Sequence, residues 1–404
     1  MNRQSKTTIT LLSFGHMVLD SYSSFLVPIL PLLAEKLGIT QAQAGFLIPV
    51  MMISSSLMQP VYGIISDRYF KRAFAVAGPL IAAVFMSSIG LADSLPMLLA
   101  LTVAGGIGVG VFHPQSAALA HRAATEYNPA RQGTVMSIFS SAGTVGYALG
   151  PLIISTCVAW YGLEHSYYTM VFGIAAFALL WFYCPALEKK ERSADDPRLS
   201  QLLKDACAPL TILYFAVVLR SAASVSIQSY LPFWLKDHGL NLQLSSLIIT
   251  GFIFFGGIGG FFGGALADRF GARRVSMISV LIATPVLLAG FLTHGALSYG
   301  LIMFGGLCLN LPLPISVVMA QRLVPGGAST VSALVMGFAW GLGALMTPVT
   351  GKISEGFGLT KALIIVALWP LGSAFLFWRY PKDGQTPAAA TVEVPAQEAY
   401  ASGD

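Results

Sequence analysis

The sequence predicts an all-α integral membrane protein with twelve transmembrane helices arranged as two pseudo-symmetric six-helix bundles. Three observations carry that expectation. The 404-residue chain is 55% hydrophobic and only 10% charged, it holds twelve apolar stretches long enough to cross a bilayer, and its two halves repeat one another. A soluble protein carries about 25% charged residues, so a water-soluble reading would need a very large apolar core split by short charged loops. No cleavable signal peptide is expected. The first apolar run is longer than an h-region of about 7–15 residues, and no small-x-small cleavage site follows it. Cys157, Cys184, Cys207 and Cys308 are scattered without metal-ligand or redox spacing, and read as small apolar residues. The net charge of +5 reflects basic loops and implies no nucleic-acid partner.

A helix needs about 20 residues to span hydrocarbon. Such segments fall approximately at 8–34, 42–65, 73–92, 95–120, 133–158, 165–185, 209–234, 243–266, 275–294, 297–320, 328–350 and 359–379. The longest polar interruption lies between the sixth and seventh. It divides the chain into a first six-helix bundle (1–186), a cytoplasmic linker (187–208) and a second bundle (209–380). The stretch 381–404, rich in Pro, Ala, Glu and Gln, has too little apolar content to fold and is expected to be a disordered cytoplasmic tail.

Orientation follows from Lys and Arg placement. With both termini inside, cytoplasmic segments hold 18 basic residues, including Arg68, Lys71, Arg72, Lys189, Lys190, Arg269, Arg273 and Arg274. The outer loops hold 4, namely Lys36, Lys236, Lys352 and Lys361. The inverted topology reverses this ratio, so cytoplasmic termini are expected.

The halves match in register. GIISDRYFKR starts at Gly63 and GALADRFGARR at Gly264, an offset of 201 shared by Pro31 with Pro232 and by Gly38 with Gly239. VMSIFSSAG from Val135 and VMGFAWGLG from Val335 are offset by 200. Four coincidences in register argue for an internal duplication. Secondary transporters are built this way, with the binding site between the repeats near mid-membrane.

Both halves carry Gly-x-x-x-Asp-Arg followed by two adjacent basic residues: Gly63, Asp67, Arg68, Lys71 and Arg72, then Gly264, Asp268, Arg269, Arg273 and Arg274. A small Gly lets its helix approach a neighbour closely. An Asp at a helix end accepts charge-assisted bonds from nearby Arg or from terminal amides. With this motif at the second–third and eighth–ninth connections, the whole chain resembles the major facilitator superfamily. The resemblance implies the major facilitator fold, and a conformational latch at these residues that holds the halves together in the outward-facing state. Gly143, Gly146, Gly150 and Pro151 in the fifth helix are similar to the Gly-x-x-x-Gly-Pro signature of superfamily drug:proton antiporters. They are expected to serve helix packing, with Pro151 bending the helix. Many of those antiporters carry an Arg in the fourth helix where this chain has Thr102.

Few polar groups lie deep. Asp20 is the one acid well inside an apolar segment, with His16 one turn before it, and Arg220 is the isolated base 200 residues on. At about 1.5 Å per residue, Asp20 lies about 18 Å, His16 about 12 Å and Arg220 about 16 Å from the start of its helix. His113 and Asn310 lie about 11 and 15 Å from the cytoplasmic ends of the fourth and tenth helices. An acid costs a few kcal/mol to insert, so a function or a partner is implied. Two readings of Asp20 stand: a protonation site, with His16 and His113 as a relay, and a structural partner of Arg220. Arg220 does not titrate usefully, and would attract an anion or hold Asp20 ionised until displaced. No metal site is expected from two histidines and one acid without a Cys or Met cluster. Pro28 and Pro31 are expected to bend the first helix.

HMVLDS in the first helix, GVGVFHPQSAALA in the fourth and RSAASVSIQSY in the seventh together resemble the fosmidomycin resistance protein family. Its fourth-helix motif is Phe-His-Pro-Glu-Ser; here Phe112, His113, Pro114 and Ser116 are kept and Gln115 replaces the Glu. The resemblance implies proton-coupled efflux of small anionic or amphiphilic compounds, such as antibiotics, by alternating access. Asp20, His16 and His113 would couple protons, and Arg220, Gln115, Asn310, Tyr22 and Gln228 would bind substrate. The rival readings are a proton-coupled importer of a metabolite or organic anion, and a non-transporting receptor or scramblase. No enzyme is expected, for no nucleophile–base set is present, and protons are the only cofactor. No Gly-x-x-x-x-Gly-Lys-Ser/Thr motif points to ATP. The expected setting is the inner membrane of a bacterial-type cell, with a small-molecule substrate, the lipid bilayer as surroundings and a monomeric protein.

Overall fold

The computed structural model describes residues 3–65, 72–127, 132–184, 204, 206–324, 331–332 and 334–381. Among these, twelve helices are long and apolar enough to cross a membrane, and no strand occurs. The first bundle comprises span 1 (Gln4–Leu37), span 2 (Gln41–Gly63), span 3 (Ala73–Leu91), span 4 (Leu95–Tyr127), span 5 (Ile138–Tyr161) and span 6 (Leu163–Tyr183). The second comprises span 7 (Cys207–Asp237), span 8 (Leu242–Phe270), span 9 (Ala272–Leu292), span 10 (Gly295–Leu323), span 11 (Leu334–Phe357) and span 12 (Leu359–Arg379). The proposed linker at 187–208 falls largely, and the tail at 381–404 almost wholly, outside the described residues. An even number of crossings puts the start of span 1 and the end of span 12 on one face, termed here the terminal face.

The bundles repeat one contact scheme. Span 1 packs on spans 4, 5 and 6, and span 3 on spans 4 and 6; span 7 packs on spans 10, 11 and 12, and span 9 on spans 10 and 12. The bundles meet where span 5 lies on span 8, span 2 on span 11 and span 1 on span 7. Lipid tails offer no hydrophobic gain for helix association, so close backbone packing holds such crossings. Gly146 shows why: a Cβ there would overlap the Met17 carbonyl, so span 5 lies directly against the backbone of span 1.

Two spans break where the sequence supplies a reason, and a third runs on beyond its apolar stretch. Span 1 is broken between Ser23 and Leu26. Pro28 lacks the N–H that would bond the carbonyl of residue 24, and the chain tightens through Ser24 N–H to Ser21 O (3.3 Å) and Phe25 N–H to Tyr22 O (3.2 Å). Span 10 breaks at Leu311, between helices Gly295–Asn310 and Pro312–Leu323. Span 4 continues to Tyr127, well beyond the apolar stretch expected to end at 120. Its polar last turns are held by the Arg122 Nε–Glu126 bond (2.9 Å) and by the Ser5 hydroxyl on Glu126 (3.1 Å). The end of that helix is therefore no marker of membrane depth.

On the face opposite the termini, the bundles are tied together. The Tyr230 hydroxyl lies 3.1 Å from the Gln41 carbonyl and 2.9 Å from that of Thr347. The Thr347 hydroxyl donates to Gly45 O (2.8 Å), Ala42 N–H to Glu355 (3.3 Å), and Lys236 pairs with Glu35.

Candidate functional site

Two polar groups lie deep in the protein, one in each bundle. In the first, the i, i+4 spacing puts His16 and Asp20 on one face of span 1, with Asp20 Oδ2 3.2 Å from His16 Nε2. Span 4 brings His113 to the other carboxylate oxygen, Nε2 to Oδ1 at 3.4 Å. One ligand atom of each residue lies within 4.8 Å of the others. The His16 side chain is 10% exposed, that of Asp20 17% and that of His113 25%, so the cluster is reached from its His113 side.

Two neighbours on span 5, Phe139 and Gly143, fix the cluster. His16 Nδ1 is 2.9 Å from the Phe139 carbonyl, and the imidazole lies against the Phe139 ring at 4.5 Å between centroids. Span 5 can come this close because residue 143 is Gly: a Cβ there would stand 2.6 Å from both Asp20 Oδ2 and His16 Cε1. A carbonyl only accepts, so His16 Nδ1 carries hydrogen. A neutral His16 then turns the Nε2 lone pair toward a carboxylate oxygen, which is also an acceptor. Two acceptors 3.2 Å apart require a positive particle between them.

In the second bundle Arg220 is fully buried. Its guanidinium donates to Asn310 Oδ1 (3.0 Å), Leu309 O (3.3 Å) and Ser221 Oγ (2.9 Å). Its Nε has no hydrogen-bond partner, and no carboxylate among the described residues pairs with it. Asn310 stands at the break in span 10, where Leu311 and Pro312 interrupt the helix. Its amide donates to Gly306 O (3.0 Å), and its oxygen is 3.4 Å from Ser224 Oγ.

The expected pairing of Asp20 with Arg220 is corrected here. Similar positions along their helices do not bring the two together; each finds its partners inside its own bundle, Asp20 in imidazoles and Arg220 in amide and hydroxyl oxygens. Tyr22 is also not where a substrate ligand would be. Two residues beyond Asp20, it points about 200° around the helix, and its buried hydroxyl donates to Thr169 O (2.7 Å) and accepts from Gly173 N–H (2.9 Å). Tyr22 is a bridge to span 6.

Gln228, by contrast, reaches the other bundle, its amide donating to the Tyr147 hydroxyl (2.9 Å). Both line a cavity between the bundles together with Ser23, Ser229, Met51 and Met52. The Ser23 hydroxyl in that wall has no hydrogen-bond partner among the described residues. The sequence offered a signal for each residue missed: Tyr147 is one turn beyond Gly143 on the same face, and Ser23 one turn beyond Asp20. Gln115 is buried on span 4.

The loop signature divides. Asp67, Arg68 and Lys71 lie outside the described residues. Arg72 donates through Nε to Cys184 O (2.7 Å) and also to Trp181 O, while Arg273 donates through Nε to Phe377 O (3.0 Å) and also to Trp378 O. Each guanidinium thus caps the last turn of the sixth helix of its own bundle, where carbonyls lack intrahelical partners. In this structure, which is tied shut on the face opposite the termini, these two residues bind helices within each half. Arg269 stacks on Phe270 at 5.1 Å. Asp268 and Arg274 make no hydrogen bond or ion pair among the described residues. Gly63 faces Pro114, its added Cβ 3.8 Å from the ring carbon, whereas at Gly264 a Cβ would meet open space, so tight packing does not explain the second glycine. Gly150, like Gly146, faces the backbone of span 1 at Ser21, and Pro151 lies within the same helix.

A model of the Major Facilitator Superfamily matches residues 12–348, with a second match over 213–400. The chain belongs to that superfamily. This superfamily transporter is 29% identical over 373 residues to the uncharacterized MFS-type transporter YfnC of Bacillus subtilis, with 90% of each chain covered. It is 29% identical over 382 residues to the fosmidomycin resistance protein of Escherichia coli, with 91% of each covered. Among solved structures, a bacterial homologue of the human lysosomal transporter Spinster, inward-facing and unoccupied, superposes with a TM-score of 0.81 at 16% identity, over 94% of this chain and 97% of that one. That likeness gives the fold. Family membership makes the protein a transporter rather than an enzyme, working on a small molecule across a bilayer.

Proposed function

We propose that this transporter exports small anionic or amphiphilic compounds in exchange for protons by alternating access. The observation that carries the reading is the separation of the deep charges. The acid sits with two histidines in one bundle, and a buried guanidinium without a carboxylate sits in the other. A buried cation lacking a counter-charge is costly, and an anionic substrate supplies one. The contact between His16 and Asp20 needs a proton, which is the particle a coupled cycle must load and release.

In this cycle protonation of the Asp20 cluster does not break a tie to Arg220. It changes the charge on span 1 one turn before the cavity that Gln228, Tyr147 and Ser23 border, and substrate enters as that charge falls. Asn310 is the acceptor an incoming anion displaces from Arg220. The fosmidomycin resistance protein and this chain are 29% identical over 91% of each, which favours export of an anionic antibiotic. The placement of Lys and Arg favours cytoplasmic termini in a bacterial inner membrane, and the protein works as a monomer. The bonds of Tyr230, Thr347 and Glu355 then close the outer face.

Everted membrane vesicles test this directly, with labelled fosmidomycin as the probe. An acid interior should drive uptake that collapses when the gradient is dissipated. Uptake that ignores the gradient, or that occurs only in right-side-out vesicles, overturns proton-coupled export.

A further inference from the structure

We propose that His16, Asp20 and His113 form a binding site for a divalent transition cation of the zinc, cobalt or nickel class. Two imidazole nitrogens and one carboxylate, with remaining positions open, are a recurrent donor set for such ions. Donors about 2.0–2.1 Å from a metal stand roughly 3.0–3.4 Å from one another at tetrahedral or octahedral angles. Each imidazole already stands at such a distance from one carboxylate oxygen, His16 Nε2 3.2 Å from Oδ2 and His113 Nε2 3.4 Å from Oδ1, so a cation between the rings would meet both oxygens of Asp20. The three ligand atoms lie within 4.8 Å of one another, so a small rotation of the His113 ring completes the set.

The surroundings fit as well as the distances. Metal-bound histidines donate their other ring N–H to a carbonyl or carboxylate, which fixes the tautomer and the ring. The bond from His16 Nδ1 to Phe139 O at 2.9 Å does this in advance and aims the Nε2 lone pair at the cluster. No Lys or Arg among the described residues pairs with Asp20, so its charge is free for a cation. The 25% exposure of the His113 side chain leaves the cluster reachable, with room for water or a substrate anion on the open positions. Two neutral imidazoles and one carboxylate carry a single negative charge, half that of the ion, and the site therefore suits a cation that brings an anionic co-ligand.

The binding does not depend on which compound is transported or in which direction. Its consequence for transport does rest on the proposed proton coupling: a bound cation holds the same lone pairs and stops gradient-driven flux.

The test uses full-length protein in detergent without a polyhistidine tag, with Zn2+ in calorimetry and Co2+ in visible absorption. We expect one equivalent to bind, and His16→Gln, Asp20→Asn and His113→Gln each to weaken affinity at least about 10-fold. The surface variants His238→Gln and His294→Gln should leave it unchanged. X-ray absorption at the zinc edge of the unaltered protein should show two imidazoles in the first shell, which keeps the proposal open to refutation even where a variant does not fold. Sub-stoichiometric binding, insensitivity to the three triad variants, or a first shell without imidazole overturns it. Metal binding with no proton-linked flux sinks the transport reading alone, and flux without metal binding sinks this one alone.

Discussion

The two bundles share one backbone plan and carry opposite chemistry at its centre. Position 20 of the first holds an acid and position 220 of the second a base. At each, a glycine on a neighbouring helix makes the approach possible: a Cβ at Gly143 would lie 2.6 Å from Asp20 Oδ2, and one at Gly343 would lie 2.9 Å from Ser221 Cβ. The acid keeps 17% of its side-chain surface exposed, while the guanidinium is sealed. Duplication thus conserved the crossing of helices, and divergence decided what the crossing holds. One bundle keeps a group that can exchange a particle with water, and the other keeps a fixed charge.

The largest test of that contrast is Asp20→Asn. Gradient-driven flux should vanish while substrate exchange without a gradient persists; full gradient-driven flux in this variant removes the first bundle from coupling. Next comes Arg220→Ala, which strips the donors from Asn310, Leu309 and Ser221. Transport of anionic compounds should fall further than transport of neutral ones, with an unfolding cost of about 1–3 kcal/mol from the acceptors left buried. An equal loss for both classes of compound would falsify the assignment of anion recognition to the second bundle.

A smaller and sharper pair is Gly143→Ala against Gly343→Ala. Both overpack a helix crossing, at a cost of about 1–3 kcal/mol each, so melting temperatures should fall similarly. Only Gly143→Ala should also alter the pH profile of transport, because its methyl displaces Asp20 and His16. The same change in both profiles means that the glycines act on the fold alone. Smallest is Tyr147→Phe, which removes one hydrogen bond between the bundles, worth about 1 kcal/mol. A double-mutant cycle with Gln228→Ala, read out in substrate affinity, should show the two effects to be non-additive.

Hydropathy and loop charge made the twelve crossings legible, because each is a property of one contiguous segment and needs no partner. The i, i+4 spacing made the His16–Asp20 contact legible for the same reason. Tyr22 was legible too, had its angle around the helix been weighed beside its distance along it. Arg72 and Arg273 were not, since a basic residue at a loop looks alike whether it ties two halves or caps a neighbouring helix.

By itself, then, the sequence determined the number of spans, the duplication and the place of each buried charge along its helix, all of which are measured along the chain. Only the tertiary structure decided lateral position. It put His113 against Asp20, gave Arg220 to Asn310 instead of to the acid at its own level, and set Phe139 O where it fixes the His16 tautomer. Depth follows from counting residues at a constant rise. Which groups meet at that depth depends on helix rotation and crossing, and those are set by small residues on other helices.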